Sequence, residues 1–185
     1  MSDDTPVVRL PAEIRTSRLL LRTLDPGWAA PVLAYFVRND AHRRPWSPTA
    51  PADFHTLAFH QRRLQQEQEA AAQHNAFRWW MFPRAGPPDL PIGHVSCSTI
   101  VRGAFQSCYL GYELDEAYVN QGYMTEAVAA VVEWIFGVLR LHRIEANIMP
   151  RNARSLRVVA KLGFIDEGLS RRYMGCQHFS SGNPR

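Results

Sequence analysis

The chain has 185 residues, 46% hydrophobic and 21% charged, which is the length and composition of one globular domain and excludes disordered, collagen-like and coiled-coil chains. Its formal net charge is only +4, too small to argue for nucleic-acid binding. The base is nearly all arginine, with Lys161 the one lysine, a bias that suits phosphate and carboxylate recognition and equally follows from a GC-rich coding sequence. Cys97, Cys108 and Cys176 form no C-x-x-C pair, so neither a disulfide framework nor a structural zinc site is expected, and a reducing cytoplasm is.

Met1 to Leu10 carries Asp3 and Asp4 and no apolar run, which does not read as a secretory signal. Ser17 to Leu24 predicts a strand ended by the turn Asp25-Pro26-Gly27, and Trp28 to Arg38 a helix with Val32, Leu33 and Phe36 at helical spacing. Asn39 to Pro51, rich in proline, predicts a loop, and Asp53 to His74 a long polar helix. Phe77 to Phe82, Pro91 to Val101 and Ser107 to Leu114 predict strands. Ala127 to Leu139 then switches to spacings of three and four, an amphipathic helix interrupted by Glu133 and too short to span a bilayer. Arg143 to Ile148 predicts a strand, Asn152 to Leu162 a helix capped by Asn152 and closed by Gly163, and Phe164 to Tyr173 a last strand. The order β-α-α-β-β-β-α-β-α-β describes one α/β domain over 1–185, with no linker, repeat or second domain.

Two segments can carry chemistry. In Tyr118 to Glu126 a strand runs through Gly122 into a helix, and such a start offers free N–H groups and the positive end of the helix dipole to a phosphate. The same glycine serves equally well to ease a strand into a helix, and neither the P-loop nor the dinucleotide glycine pattern is present. In Arg143 to Ser155, running on to Lys161-Leu162-Gly163-Phe164, a strand leads to a helix where Asn152 reads as a cap and Ser155 as a first-turn residue. The histidines show no metal-ligand spacing; His94 and Cys97, three apart on a strand, fall on opposite faces.

Together, Gln121-Gly122-Tyr123-Met124-Thr125-Glu126-Ala127 and Pro150-Arg151-Asn152-Ala153-Arg154-Ser155 with Lys161-Leu162-Gly163-Phe164 resemble the acetyl-CoA-binding core of the GCN5-related N-acetyltransferases. The resemblance covers about 14–173. Ile100 to Tyr112 and Asn39 to Pro48 are similar to the RimJ-like branch, which acetylates the N-terminal alanine of ribosomal proteins. The implied fold is α/β (α+β), a mixed, mostly antiparallel sheet flanked by about four helices. Val119 and Met124 depart from the family pattern [QR]-x-x-G-x-[GA], and Gly175 to Asn183 has little of the strand character with which the family closes its sheet, so that strand is expected to be missing or degenerate.

The resemblance implies acetyl transfer from acetyl-CoA, the co-substrate, to an amine by direct attack in a ternary complex, without a metal. At pH 7.5 roughly a third of α-amines are neutral against about one lysine in a thousand, so an N-terminal acceptor needs only a modest base. Glu113, on the strand before the phosphate loop, is the expected base, with Glu126 and Glu145 as alternatives. Its other reading is a solvent-facing strand residue. Leu114, Gln121, Gly122, Tyr123, Met124 and Thr125 are the expected cofactor-binding positions, joined by Asn152 at pantetheine or water and Ser155 at the thiol. Val159 stands where some relatives place an acidic tyrosine. Trp46, Phe54, Tyr109 and Tyr112 are candidates for an acceptor slot. Arg151, Arg154 and Arg157 read either as contacts to the 3′-phosphate of coenzyme A or as a solvated helix face. The expected partner is a protein N-terminus, with no nucleic acid and no membrane; a small amine as acceptor and a non-catalytic CoA-binding module remain the alternatives.

Overall fold

The computed structural model describes residues 12–170. One sheet carries six strands in chain order: β1 (Glu13–Arg15), β2 (Leu19–Arg22), β3 (Phe77–Pro83), β4 (Gly93–Val101), β5 (Ser107–Leu114) and β6 (Arg143–Glu145). Neighbours are antiparallel from β1 to β5, and β5 and β6 run parallel. The helices are α1 (Ala29–Arg38), the single turn α2 (Asp40–Arg43), α3 (Leu57–Ala72), α4 (Tyr123–Gly137) and α5 (Ala153–Lys161). The architecture is the mixed α/β fold that the sequence implied.

β3 shows how the layers form. Trp79 and Trp80 are consecutive, hence on opposite faces of the strand, and both are 0% exposed. Each face of the sheet is therefore covered. On one face Leu21, Trp79, Val95 and Leu110 meet the apolar stripe Val128, Val131 and Ile135 of α4. On the other, Trp80 and Phe82 meet Val32, Tyr35 and Phe36 of α1 and Leu64 of α3. The long α3 is mostly polar because only His60, Leu64 and Ala71 turn inward. No described helix is long and apolar enough to cross a membrane.

Several boundaries differ from the sequence expectation. β1 was not predicted; its three residues pair with β2 but present too little apolar alternation to read. The Asn39–Pro51 segment is not wholly loop, since it contains α2 and a 3-10 turn at Arg44–Trp46. α3 begins at Leu57 rather than Asp53, because the Thr56 hydroxyl accepts from Phe59 N–H at 3.2 Å and caps the helix there. α4 begins at Tyr123 rather than Ala127, because Gly122 turns the chain into it. Residues 164–170 form no strand: Asp166 accepts from Gly168 N–H at 2.8 Å, and Gly168 has φ 107°, a local turn that competes with extension. The rest of that expected strand, 171–173, and the atypical segment after it lie outside the described residues.

Candidate active site

The pairing of β5 with β6 stops at Tyr109–Glu145, whereas β5 continues to Leu114. Among the described residues no strand covers 110–114 on that side. The connections leading into α4 and α5 both leave the carboxyl ends of these two parallel strands, where an α/β sheet opens a crevice.

The first connection is held from beneath. Asp115, 5% exposed, accepts from Arg38 Nε at 2.5 Å, Asn39 Nδ2 at 3.0 Å and Ala117 N–H at 3.0 Å. Burial works against its charge, but the bonds from Asn39 and Arg38 outweigh it and lower its pKa. The Asn39 side-chain oxygen Oδ1 accepts from Glu116 N–H at 3.0 Å. The end of α1 thus fixes the start of the loop.

At its far end Gly122 has φ 81° and ψ −4°, the left-handed conformation, and α4 has no side-chain cap. The N–H groups of the first turn have no partner within the helix and face outward along its dipole. The Gln121 side chain donates back to Ala117 O at 2.9 Å. Tyr123 stacks edge-on with Tyr118, and Met124 is buried in the core. The turn between β1 and β2 braces this start: Glu126 accepts from Thr16 Oγ1 at 2.6 Å, Ser17 Oγ at 3.0 Å, and Arg18 N–H and Nε at 2.9 and 2.6 Å. The Arg18 guanidinium also donates to Gln121 O at 3.0 Å and lies 4.4 Å from the Tyr123 ring centroid.

Across the crevice, Asn152 caps α5 by accepting from Ser155 N–H at 3.2 Å. Ser155 Oγ donates to Tyr112 Oη at 2.8 Å, and Tyr112 O–H donates to the main-chain oxygen of Ser155, also at 2.8 Å. Tyr112 therefore bridges β5 to α5, and burial raises its pKa.

Glu113 points to the other face. Its Oε1 accepts from Tyr35 O–H at 3.1 Å and lies 3.6 Å from Arg43 Nε, and its side chain is 20% exposed. It sits opposite His94 across the β4–β5 pair, and His94 is buried, its pKa pushed well below the usual range by that burial and by Arg78. On this face a cleft of about 410 Å³ is lined by Arg43, Arg62, Arg63, Phe54 and Phe59, and by no carboxylate.

A strand edge left open between two parallel strands, with an uncapped helix start on one side, is matched by sequence as well. The model of the acetyltransferase (GNAT) domain matches residues 18–165. The chain belongs to this family. It is 34% identical over 173 residues to the [ribosomal protein uS5]-alanine N-acetyltransferase of Escherichia coli (strain K12), covering 92% of this chain and 85% of that one. It is 42% identical over 120 residues to YjcK of Bacillus subtilis (strain 168), described as a probable N-acetyltransferase, covering 65% of each, just under two thirds of that relative. The crystal structure of the ribosomal-protein-S5-alanine acetyltransferase from Vibrio fischeri superposes with a TM-score of 0.83 at 33% identity, over 88% of both chains. Solved neighbours at 23%, 18% and 17% identity, which share the fold, include complexes with CoA and with acetyl-CoA.

In this acetyltransferase the four acceptor-side candidates do not converge. Tyr109 shares the Glu113 face of β5 and is 36% exposed, whereas Tyr112 lies on the opposite face, against Ser155. Phe54 is 7% exposed and packs on Phe36, Phe59 and His60. Trp46 is 37% exposed and lies under the Arg151 guanidinium at 5.6 Å. Arg151 also donates to Pro45 O at 3.1 Å, so it ties the proline-rich loop to the α5 cap. Leu114 packs on the α4 side of the sheet. Sequence reading missed Tyr35, Arg43, Asn39 and Arg18, since each reaches the site from a distant element and carries no local motif.

Proposed function

We propose that this GNAT acetyltransferase moves the acetyl group of acetyl-CoA to the α-amine of a protein N-terminus. The names of its relatives support a protein acceptor, and the cleft lined by Arg43, Arg62 and Arg63 favours it over a small polyamine, for whose cationic chain the lining offers no carboxylate.

When bound, acetyl-CoA supplies the activated acetyl group. The N–H groups of Gln121 to Thr125 hold its diphosphate, as helix starts hold anions, and Gly122 lets the backbone come close. Asn152 orients the pantetheine arm or a water. The open edge at 112–114 offers N–H donors to the acetyl oxygen, where negative charge develops. Glu113 takes the proton from the attacking amine, directly or through water. Ser155 meets the thiol by turning its hydroxyl from Tyr112. A reducing cytoplasm is the setting that fits these roles.

Mass measurement after incubation with acetyl-CoA and peptides beginning Ala, Ser, Gly or Met tests the reading. One acetyl group on the α-amine of the Ala or Ser peptides is expected, and Glu113→Gln should lower kcat while leaving acetyl-CoA affinity intact. Acetylation of polyamines alone sends the reading to the small-amine alternative, and CoA binding without any acetyl transfer leaves a binding module.

A further inference from the structure

The cleft beside Glu113 has a charge that acetyl transfer alone does not require. Three guanidinium groups line it together with Phe54, Phe59 and Gln66, and its volume of about 410 Å³ lies in the range of ligand sites. Around it stand Arg43, Arg44, Arg62, Arg63 and Arg78, against Asp40, Asp53, Glu67 and Glu113. In these ion pairs of the described residues five arginines share four carboxylates, and Glu67 serves two of them: Arg63 Nε at 2.9 Å and Arg78 Nε at 3.1 Å. Burial first and Arg78 second lower the pKa of Arg63 to about 10, against the opposing pull of Glu67. Arg43 is 10% exposed, and its Nε is buried with no hydrogen-bond partner among the described residues; Glu113 Oε1, at 3.6 Å, is outside bonding distance. Arg62 is paired with Asp53, but both are more than half or half exposed, so an incoming anion can take that guanidinium at little cost.

Arg43 joins the two places. It faces Glu113 with Nε while its guanidinium lies 4.7 Å from the Phe54 ring centroid, on the cleft wall. An extended chain advances about 3.3–3.6 Å per residue. Arg43 thus gives an acceptor whose amine rests at Glu113 a route by which its next residues reach the cleft.

We propose that this cleft selects acceptors carrying a carboxylate side chain at the second or third residue, an acidic N-terminal segment whose charge is met by Arg62 and Arg63. This rests on the reading of Glu113 as the end of the acceptor site, and it adds the chemistry of the residues that follow the amine.

The test uses hexapeptides that share an N-terminal alanine and differ at positions two and three: Glu-Asp, Gln-Asn or Lys-Lys. The acidic peptide should exceed the neutral one in kcat/KM by roughly tenfold or more, with the basic one lowest. Arg62→Glu should erase or reverse that order, and Arg62→Lys should largely keep it. Binding of an unreactive, already Nα-acetylated acidic peptide, followed by calorimetry, gives a readout without turnover. Equal kcat/KM for the three peptides overturns the proposal, and so does an acidic preference that Arg62→Glu leaves unchanged. If no peptide is acetylated, binding of the acidic peptide that Arg62→Glu abolishes upholds the cleft and overturns the acetyl-transfer reading; absence of that binding overturns the cleft.

Discussion

The hydroxyl of Tyr35 donates to Oε1 of Glu113 across 3.1 Å, joining the middle of α1 to the end of β5. Tyr35 is 0% exposed and its ring packs edge-on against Trp80. Burial, and then the neighbouring Glu113 carboxylate, raise its pKa far above the ordinary tyrosine value, so the phenol stays a donor. Tyr35→Phe keeps the packing and removes this donor, at a cost of about 1.5–3 kcal/mol in stability. With Glu113 as base, kcat should fall while KM for acetyl-CoA stays, since Tyr35 lies on the face away from the crevice. An unchanged kcat in steady-state assays would separate Tyr35 from the reaction.

Gly93 sits opposite Leu114 across the β4–β5 pair without room for a methyl group. A Cβ there would lie 2.5 Å from the Glu113 carbonyl oxygen and 3.2 Å from Leu114 Cα. Gly93→Ala should force β4 from β5, cost about 1–3 kcal/mol and lower activity even well below the melting temperature. Full activity in a variant with a normal melting temperature would contradict this.

Glu126 ties the β1–β2 turn to α4. Burial opposes its ionisation, but the bonds from Thr16, Arg18 and Ser17 prevail and hold it at about 2. Its stabilising effect is therefore complete above the unfolded value, near 4.3, and drains away as pH falls from there toward about 2. Glu126→Gln should cost about 2 kcal/mol at pH 7 and flatten the acid limb of the stability curve. Parallel acid limbs for the two proteins, by circular dichroism, would refute the assignment.

His60 is 0% exposed and stacks on Phe36 at 5.1 Å. Burial, with Arg63 second, lowers it to about 4. Between that value and the unfolded one near 6.5 the unfolded chain binds a proton that the folded chain refuses, so stability falls as pH drops through this window. The contribution between pH 7 and 5 is about 2 kcal/mol, with His94 adding in the same direction. His60→Phe should shrink the shift in urea midpoint between these pH values; an undiminished shift would exclude His60 as its source.

Much of this was readable along the chain. α1, β3, β5 and α5 stand nearly where their periodicity predicts, and the Asn152 cap and the bend at Gly122 are local: one side chain reaching three residues ahead, one backbone angle that glycine tolerates. The alternation along β5 already separates Glu113 from Tyr112 and Leu114. Alternation left open how exposed Glu113 is; its side chain is 20% exposed, with Tyr35 donating to it and Arg43 beside it.

By itself the sequence determined the order of elements, the two strand-to-helix turns and the family, because each is written in spacings of a few residues. Only the tertiary structure decided what those turns are made to face. Pairings such as Tyr35 with Glu113, Arg18 with Glu126 and Arg151 with Pro45 span 78, 108 and 106 positions. No local pattern encodes them, because they arise when the sheet and its two helical layers close around Trp79 and Trp80.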